Sequence, residues 1–166
     1  MSPIYRVPVT HQQNGLPKNW HDRACGIAAL AMIMEFFGVS KNNQELLNTG
    51  LEVNAYIQNI GWSHKGLVAI AQRYGLRGTN YDWAPLSSAE AFRYLEKYIC
   101  QYPIICSAYN SFDLSRDGHF IAVVGIRNNR IYYNDPDIRN QKYKTHWVSK
   151  KRFLNGWKRR CIVIYP

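Results

Sequence analysis

The most apolar helical run of the chain spans Ala24-Cys25-Gly26-Ile27-Ala28-Ala29-Leu30-Ala31-Met32-Ile33-Met34-Glu35-Phe36-Phe37-Gly38, and Gly38 is a fitting C-terminal cap for it. Asn42-Asn43-Gln44-Glu45 has the form of a capping box and opens a second, shorter helix. Gly66 to Gly75 reads as a third helix closed by glycine. Ser87-Ser88-Ala89-Glu90 is a further capping box, followed by Phe92, Leu95, Tyr98 and Ile99 on one helical face. From Pro103 onward the pattern changes to short β-rich runs at 103–109, 119–126 and 130–134. Asn128-Asn129 joins the last two as a hairpin turn. Ser149 caps a short helix carrying Phe153 and Trp157, and Cys161 to Tyr165 forms a final strand. Helices first and antiparallel strands afterwards predict an α+β domain. The expectation is one domain over residues 1–166, with a helical lobe over about 20–101 and a sheet lobe over about 102–166.

Composition supports a packed globule, because 46% of the residues are hydrophobic and 14% aromatic, too many for a disordered chain. Twenty-one Lys and Arg against eleven Asp and Glu leave a formal charge of +10, which favours an acidic partner surface. The basic residues gather between Arg127 and Arg160. Charge alone, without a recognised binding motif, ranks nucleic-acid binding last among the readings. No stretch approaches the roughly eighteen apolar residues of a membrane span, and the N-terminal residues lack the pattern of a secretory signal. The expected location is cytoplasmic.

The four cysteines show neither CxxC spacing nor a paired His-Cys pattern, so no structural metal is expected. Cys100, Cys106 and Cys161 lie in or beside apolar or aromatic segments and read as small buried side chains, with a disulfide between two of them left open. Cys25 differs. It stands at the start of its helix, where unpaired backbone N–H groups and the positive end of the macrodipole favour a thiolate.

A thiolate nucleophile needs a histidine to hold it and to protonate the leaving group. Among five histidines, His119 is the best candidate: Asp117-Gly118 precedes it and a strand follows, which puts the imidazole at a strand mouth. The hairpin through Asn128-Asn129 returns to Asp135-Pro136, bringing Asp135 towards His119, where it is expected to accept the Nδ1 proton. The bland reading of Asp135-Pro136 is a turn, and the two are compatible. An oxyanion needs donors, which the Gln12 side chain and the Cys25 backbone N–H can supply; Gln13 adjoins Gln12 and offers the alternative register.

With these residues in order, the sequence resembles the bacteriocin-processing, double-glycine type of papain-like cysteine peptidase, and particularly its stand-alone relatives. Val7-Pro8-Val9-Thr10-His11-Gln12 is similar to the family's strand leading to the oxyanion glutamine, and Ala24 to Met32 to its nucleophile helix. Gly66-Leu67 through Tyr74-Gly75-Leu76 is similar to a second helix of such domains. Gly118 to Gly125 resembles the histidine strand, Asn134-Asp135-Pro136 the acidic third member, and Phe153 with Trp157 the aromatic helix before the last strand. The resemblance implies a papain-like fold, with the N-terminal helical lobe packed on a C-terminal antiparallel sheet. It implies Cys25 as nucleophile, His119 as acid and base, Asp135 as orienting residue and Gln12 as oxyanion donor. It implies no cofactor and a peptide or protein substrate. The chain carries no membrane or nucleotide-binding part of a transporter, so the expectation is a cysteine peptidase that hydrolyses peptide bonds through an acyl-enzyme, with cleavage after a double-glycine leader left open. Two alternatives use the same cleft: an amidase, transamidase or deamidase acting on another substrate, and a non-catalytic peptide-binding domain.

Overall fold

The computed structural model describes residues 2–140 and 144–166. Five helices run α1 (Cys25–Phe36), α2 (Asn43–Glu52), α3 (His64–Arg73), α4 (Ser88–Ile99) and α5 (Lys150–Gly156). Between α2 and α3 lies a two-stranded hairpin, β1 (Tyr56–Ile57) and β2 (Gly61–Trp62). The main sheet is built from β3 (Arg77–Asp82), β4 (Ile104–Tyr109), β5 (Gly118–Arg127), β6 (Arg130–Asn134), β7 (His146–Ser149) and β8 (Trp157–Tyr165). Its strand order is β3-β8-β4-β5-β6-β7, and every neighbouring pair is antiparallel.

Local chemistry accounts for the helix starts. Asn42 with Glu45 and Ser87 with Glu90 each form the reciprocal capping box expected of them. Ser63 and Ser149 cap α3 and α5 through their hydroxyls, each accepting from the backbone N–H three residues on. Helix α3 therefore starts two residues before Gly66, at its Ser63 cap. Gly38 and Gly75 take φ of 80° and 83° just past α1 and α3, the left-handed closure that glycine permits. Asn128 and Asn129, at φ 51° and 57°, make the tight β5–β6 turn with both central residues left-handed.

Strand alternation divides the core in two. Phe120, Ala122, Val124, Ile162 and Ile164 pack with α1, α2 and α3, whereas Ile121, Val123, Cys161 and Val163 pack with α4 and α5. The central strands β4, β5 and β8 are thus buried on both faces, which explains their nearly unbroken apolar runs. Helix α1 lies against the first of these faces, and its residues 26–34 are all buried. Trp157 opens β8 instead of lying in α5 and stacks on Phe153 at 5.3 Å.

All four cysteines are free thiols, so no disulfide links Cys100, Cys106 and Cys161. Cys106 and Cys161 sit opposite each other in the β4–β8 register and are fully buried, and burial raises both thiol pKa values. Cys100 is exposed. Among the described residues, no helix is long and apolar enough to cross a membrane.

Candidate active site

Helix α1 starts differently from the other four. Its N-cap residue is Ala24, which makes no side-chain capping bond, whereas α2, α3, α4 and α5 each carry an Asn or Ser cap. An alanine in that position costs about 1 kcal/mol relative to a capping side chain. The first backbone N–H groups of α1 are therefore left without a capping side chain at the residue that carries the half-buried Cys25 thiol. The start of α1 is fixed by Trp62, whose indole Nε1 donates to the Arg23 carbonyl at 2.7 Å. Trp62 lies so close over Gly26 that a Cβ there would come within 3.0 Å of its side chain. Trp20, Tyr56 and Trp62 form an aromatic cluster beneath the β1–β2 hairpin.

The sheet brings the other groups to this helix start. His119, on the second residue of β5, is 6% exposed, and its Nε2 lies 2.6 Å from Asp135 Oδ1. The carboxylate thus meets Nε2, not the Nδ1 expected from sequence, since strand register fixes where the ring sits but not its rotation. Nδ1 is the ring nitrogen left for Cys25. Burial alone pulls the His119 pKa down, but hydrogen bonds to Asp135 and to the Cys25 thiol, reinforced by their charges, push it up to about 10.

Asp135 is held on both oxygens. Asp137 N–H donates to Oδ1 at 2.8 Å, and the Asn140 amide donates to Oδ2 at 3.1 Å. Asn140 also donates to Asn110 Oδ1 at 2.7 Å, linking the aspartate to the loop after β4. Asp137 is itself 2% exposed and bound by the Arg139 guanidinium through both carboxylate oxygens. Burial opposes its ionisation, yet Arg139 and the Gln13 amide hold its pKa below the usual value. Asp137, Asn140 and Arg139 were not singled out from sequence. The acidic-proline-acidic triplet Asp135-Pro136-Asp137 was the available signal, since a second carboxylate two residues on can order the backbone of the first.

The glutamine pair is placed in the same network. Gln12 is 2% exposed, and its backbone N–H donates to the Pro136 carbonyl at 2.7 Å. Its side-chain Nε2 donates to the His21 carbonyl at 2.5 Å, two residues before Arg23 on the approach to α1. Gln12 is not among the residues lining the cleft that contains Cys25. Gln13 takes another role, with Nε2 donating to Asp137 Oδ1 at 3.1 Å. The structure thus brings Cys25 and His119 to one cleft, bonds His119 to Asp135, and ties Gln12 to the Pro136 and His21 carbonyls in the segments that flank Asp135 and α1.

Cys25 and His119 open into a cavity of about 580 Å³. The β1–β2 hairpin forms one wall, with Tyr56, Ile60 and Trp62, and Ile60 at its tip is 81% exposed. Gly118, Lys158 and Arg160 belong to the other. Such a cleft can hold an extended chain across a thiol and an imidazole. Among the described residues, no group of three His, Cys, Asp or Glu side chains is arranged to hold a metal ion.

Comparison with known proteins agrees with this architecture. The family model described as "Peptidase_C39 like family" matches residues 4–161. The peptidase domain of Streptococcus ComA, a bi-functional ABC transporter involved in a quorum sensing pathway, superposes with a TM-score of 0.71 at 22% identity, covering 98% of this chain and 99% of that one. A double glycine motif protease from an AMS/PCAT transporter, solved in complex with the leader peptide, gives a TM-score of 0.66 at 21% identity, covering 100% of this chain and 99% of that one. A Bacillus anthracis protein described as a C39-like peptidase gives a TM-score of 0.69 at 16% identity, covering 97% and 94% of the two chains. No curated protein matches the chain.

Proposed function

Because the chain belongs to the Peptidase_C39 like family, we propose that it is a cysteine peptidase whose nucleophile is Cys25, with His119 as general acid and base and Asp135 as the residue that orients and charges the imidazole. The observation that carries this reading is the buried hydrogen bond between His119 and Asp135 in the same cleft as the half-buried Cys25 thiol at the uncapped start of α1. His119, held by the Asp135 carboxylate beside the Cys25 thiol, is placed to take and return the proton of the reaction.

In the reaction, the Cys25 thiolate attacks the carbonyl carbon of the peptide bond. The tetrahedral oxyanion that forms is met by the backbone N–H at the uncapped start of α1; Gln12, buried outside the cleft lining with one N–H on the His21 carbonyl, serves as the second donor when its other N–H turns towards Cys25. The C–N bond breaks as His119 gives its proton to the leaving amine, and the acyl group stays on sulfur as a thioester. A water molecule, deprotonated by His119, then cleaves the thioester, releasing the new carboxylic acid and restoring Cys25. The double glycine motif protease is described with a leader peptide, and a peptide lying across the Cys25 cleft is the corresponding reading here. The cleft is open at the exposed Ile60 side, which suits an extended chain.

Digestion of a proteome-derived peptide pool, with products sequenced by mass spectrometry, tests this function. The parent chain is expected to create new termini at peptide bonds, and Gln12→Ala to create the same termini at a rate lower by roughly 10- to 100-fold, the scale of a lost oxyanion donor. Thermal unfolding of the variant separates that effect from loss of the Gln12 anchor. Deamidated or transamidated products without chain cleavage would replace the peptidase reading by one of the other amide chemistries.

A further inference from the structure

We propose that Lys158 forms an anion-binding subsite in the Cys25 cleft that takes a carboxylate side chain of the peptide substrate, an inference that rests on the peptidase reading and specifies its substrate class. Strand β8 pairs with β4 through Cys161↔Cys106 and Arg160↔Ser107, and then Trp157 stands opposite Ala108. Residues 158 and 159 are therefore extra, a bulge in one of the central strands. Arg159 takes a left-handed φ of 56° within it, a conformation that a side-chain-bearing residue holds only when its surroundings impose it. Those surroundings are present: the Arg159 guanidinium donates to the Leu86 carbonyl at 2.6 Å, and Trp83 N–H donates to the Arg159 carbonyl at 2.8 Å.

The bulge delivers Lys158 to the cleft. Its ammonium lies 4.6 Å from the centroid of the Tyr109 ring. It also lies directly over Gly118, where a Cβ would be 2.7 Å from Nζ. A residue without a side chain thus stands beside His119 at the spot that Lys158 occupies. The lysine is half-buried, and among the described residues it has no carboxylate partner.

The other charges at the cavity are more fully engaged. Arg160 is paired with Asp82 at 3.0 Å, and Asp22 lies 2.7 Å from Arg139, which it shares with Asp137. Arg23, Lys158 and Arg160 against Asp22 and Asp117 give the lining a net positive charge. A partly desolvated ammonium stacked on an aromatic face gains most from an anion that arrives with the ligand. An Asp or Glu side chain of a bound peptide supplies one beside the His119 end of the cleft.

Two sets of acetylated, amidated hexapeptide pools, alike except for a fixed Glu or a fixed Gln moved through each position, test the subsite. Binding is measured on the full chain carrying Cys25→Ala, and cleavage on the parent. At one position Glu is expected to exceed Gln by about tenfold. The ratio should fall to below about twofold in Lys158→Met, which keeps the stem over Tyr109, and Lys158→Glu should reverse it in favour of a fixed-Lys pool. Cleavage without a Glu preference, or a preference that survives Lys158→Met, overturns the subsite and leaves the peptidase reading standing. A Lys158-dependent Glu preference in binding, with no cleavage of any pool, supports the subsite and removes the peptidase reading instead.

Discussion

Replacing Cys25 by alanine is expected to reduce amide-bond cleavage by at least about 10⁴-fold while leaving the fold in place, because no other nucleophile stands at the start of α1. The thiol is only half-buried and caps nothing, so its loss removes little packing. A change in stability below about 1 kcal/mol is expected. Steady-state cleavage of a peptide identified by the pool digestion, run beside a thermal unfolding curve, checks both halves. Full activity in Cys25→Ala would end the assignment of the nucleophile. A variant that unfolds far below the parent would instead mark Cys25 as part of the packing of α1.

The second large effect concerns Asp135. Asp135→Asn keeps the outline of the side chain but removes the charge beside His119 and sets an amide N–H₂ where oxygens now accept from Asp137 N–H and Asn140. The buried imidazolium loses the hydrogen bond and the negative charge that hold its pKa up, while the burial that lowers it remains. A loss in kcat/KM on the order of 10²-fold is expected. The alkaline limb of the pH–rate profile should also move to lower pH. The sign follows from the direction of the shift. His119 rises from 6.5 to about 10 on folding, so the stability it contributes is fully present below pH 6.5 and is lost as pH rises through about 10. Without Asp135 that window closes earlier, and unfolding measured between pH 7 and 10 should show a weaker alkaline dependence than in the parent. An unshifted limb with unchanged kcat/KM would remove Asp135 from the site.

Much of the fold could be read from hydrophobic period and capping chemistry, because the inner strands and the helices owe their positions to burial. Helices α2 and α4 start at the predicted capping boxes, and β5 and β6 meet at the predicted Asn-Asn turn. The elements that escaped are those that burial does not mark. Arg77-Gly78-Thr79-Asn80-Tyr81-Asp82 is polar and has no buried residue, yet it forms the edge strand β3 because its backbone pairs with β8. His146–Ser149 forms the opposite edge in the same way, and the β1–β2 hairpin has only two residues per strand. Neither gives the alternation that identifies a half-buried strand.

The site divides along the same line. Cys25 and His119 were legible because each stands at the first residues of a strongly apolar element. The Asp135 position followed from the hairpin, but which imidazole nitrogen it meets did not, since strand direction alone does not fix the rotation of a ring. The Asp137–Arg139 pair, the Gln12 anchor on the His21 carbonyl and the Lys158 bulge depend on loops folding against one another. No period along the chain records such contacts.

The most direct test of the central claim, that Cys25 is the nucleophile activated by His119, is competition between two thiols of the same molecule. Cys100 is exposed and Cys25 only half-buried, while Cys106 and Cys161 are fully buried. At pH 6 an ordinary thiol of pKa about 8.5 is about 0.3% thiolate, so accessibility alone favours Cys100. Limited iodoacetamide treatment at pH 6, followed by peptide mapping, is predicted to label Cys25 first, and Cys25 should lose that priority in His119→Ala. Labelling of Cys100 ahead of Cys25 in the parent chain would contradict the account.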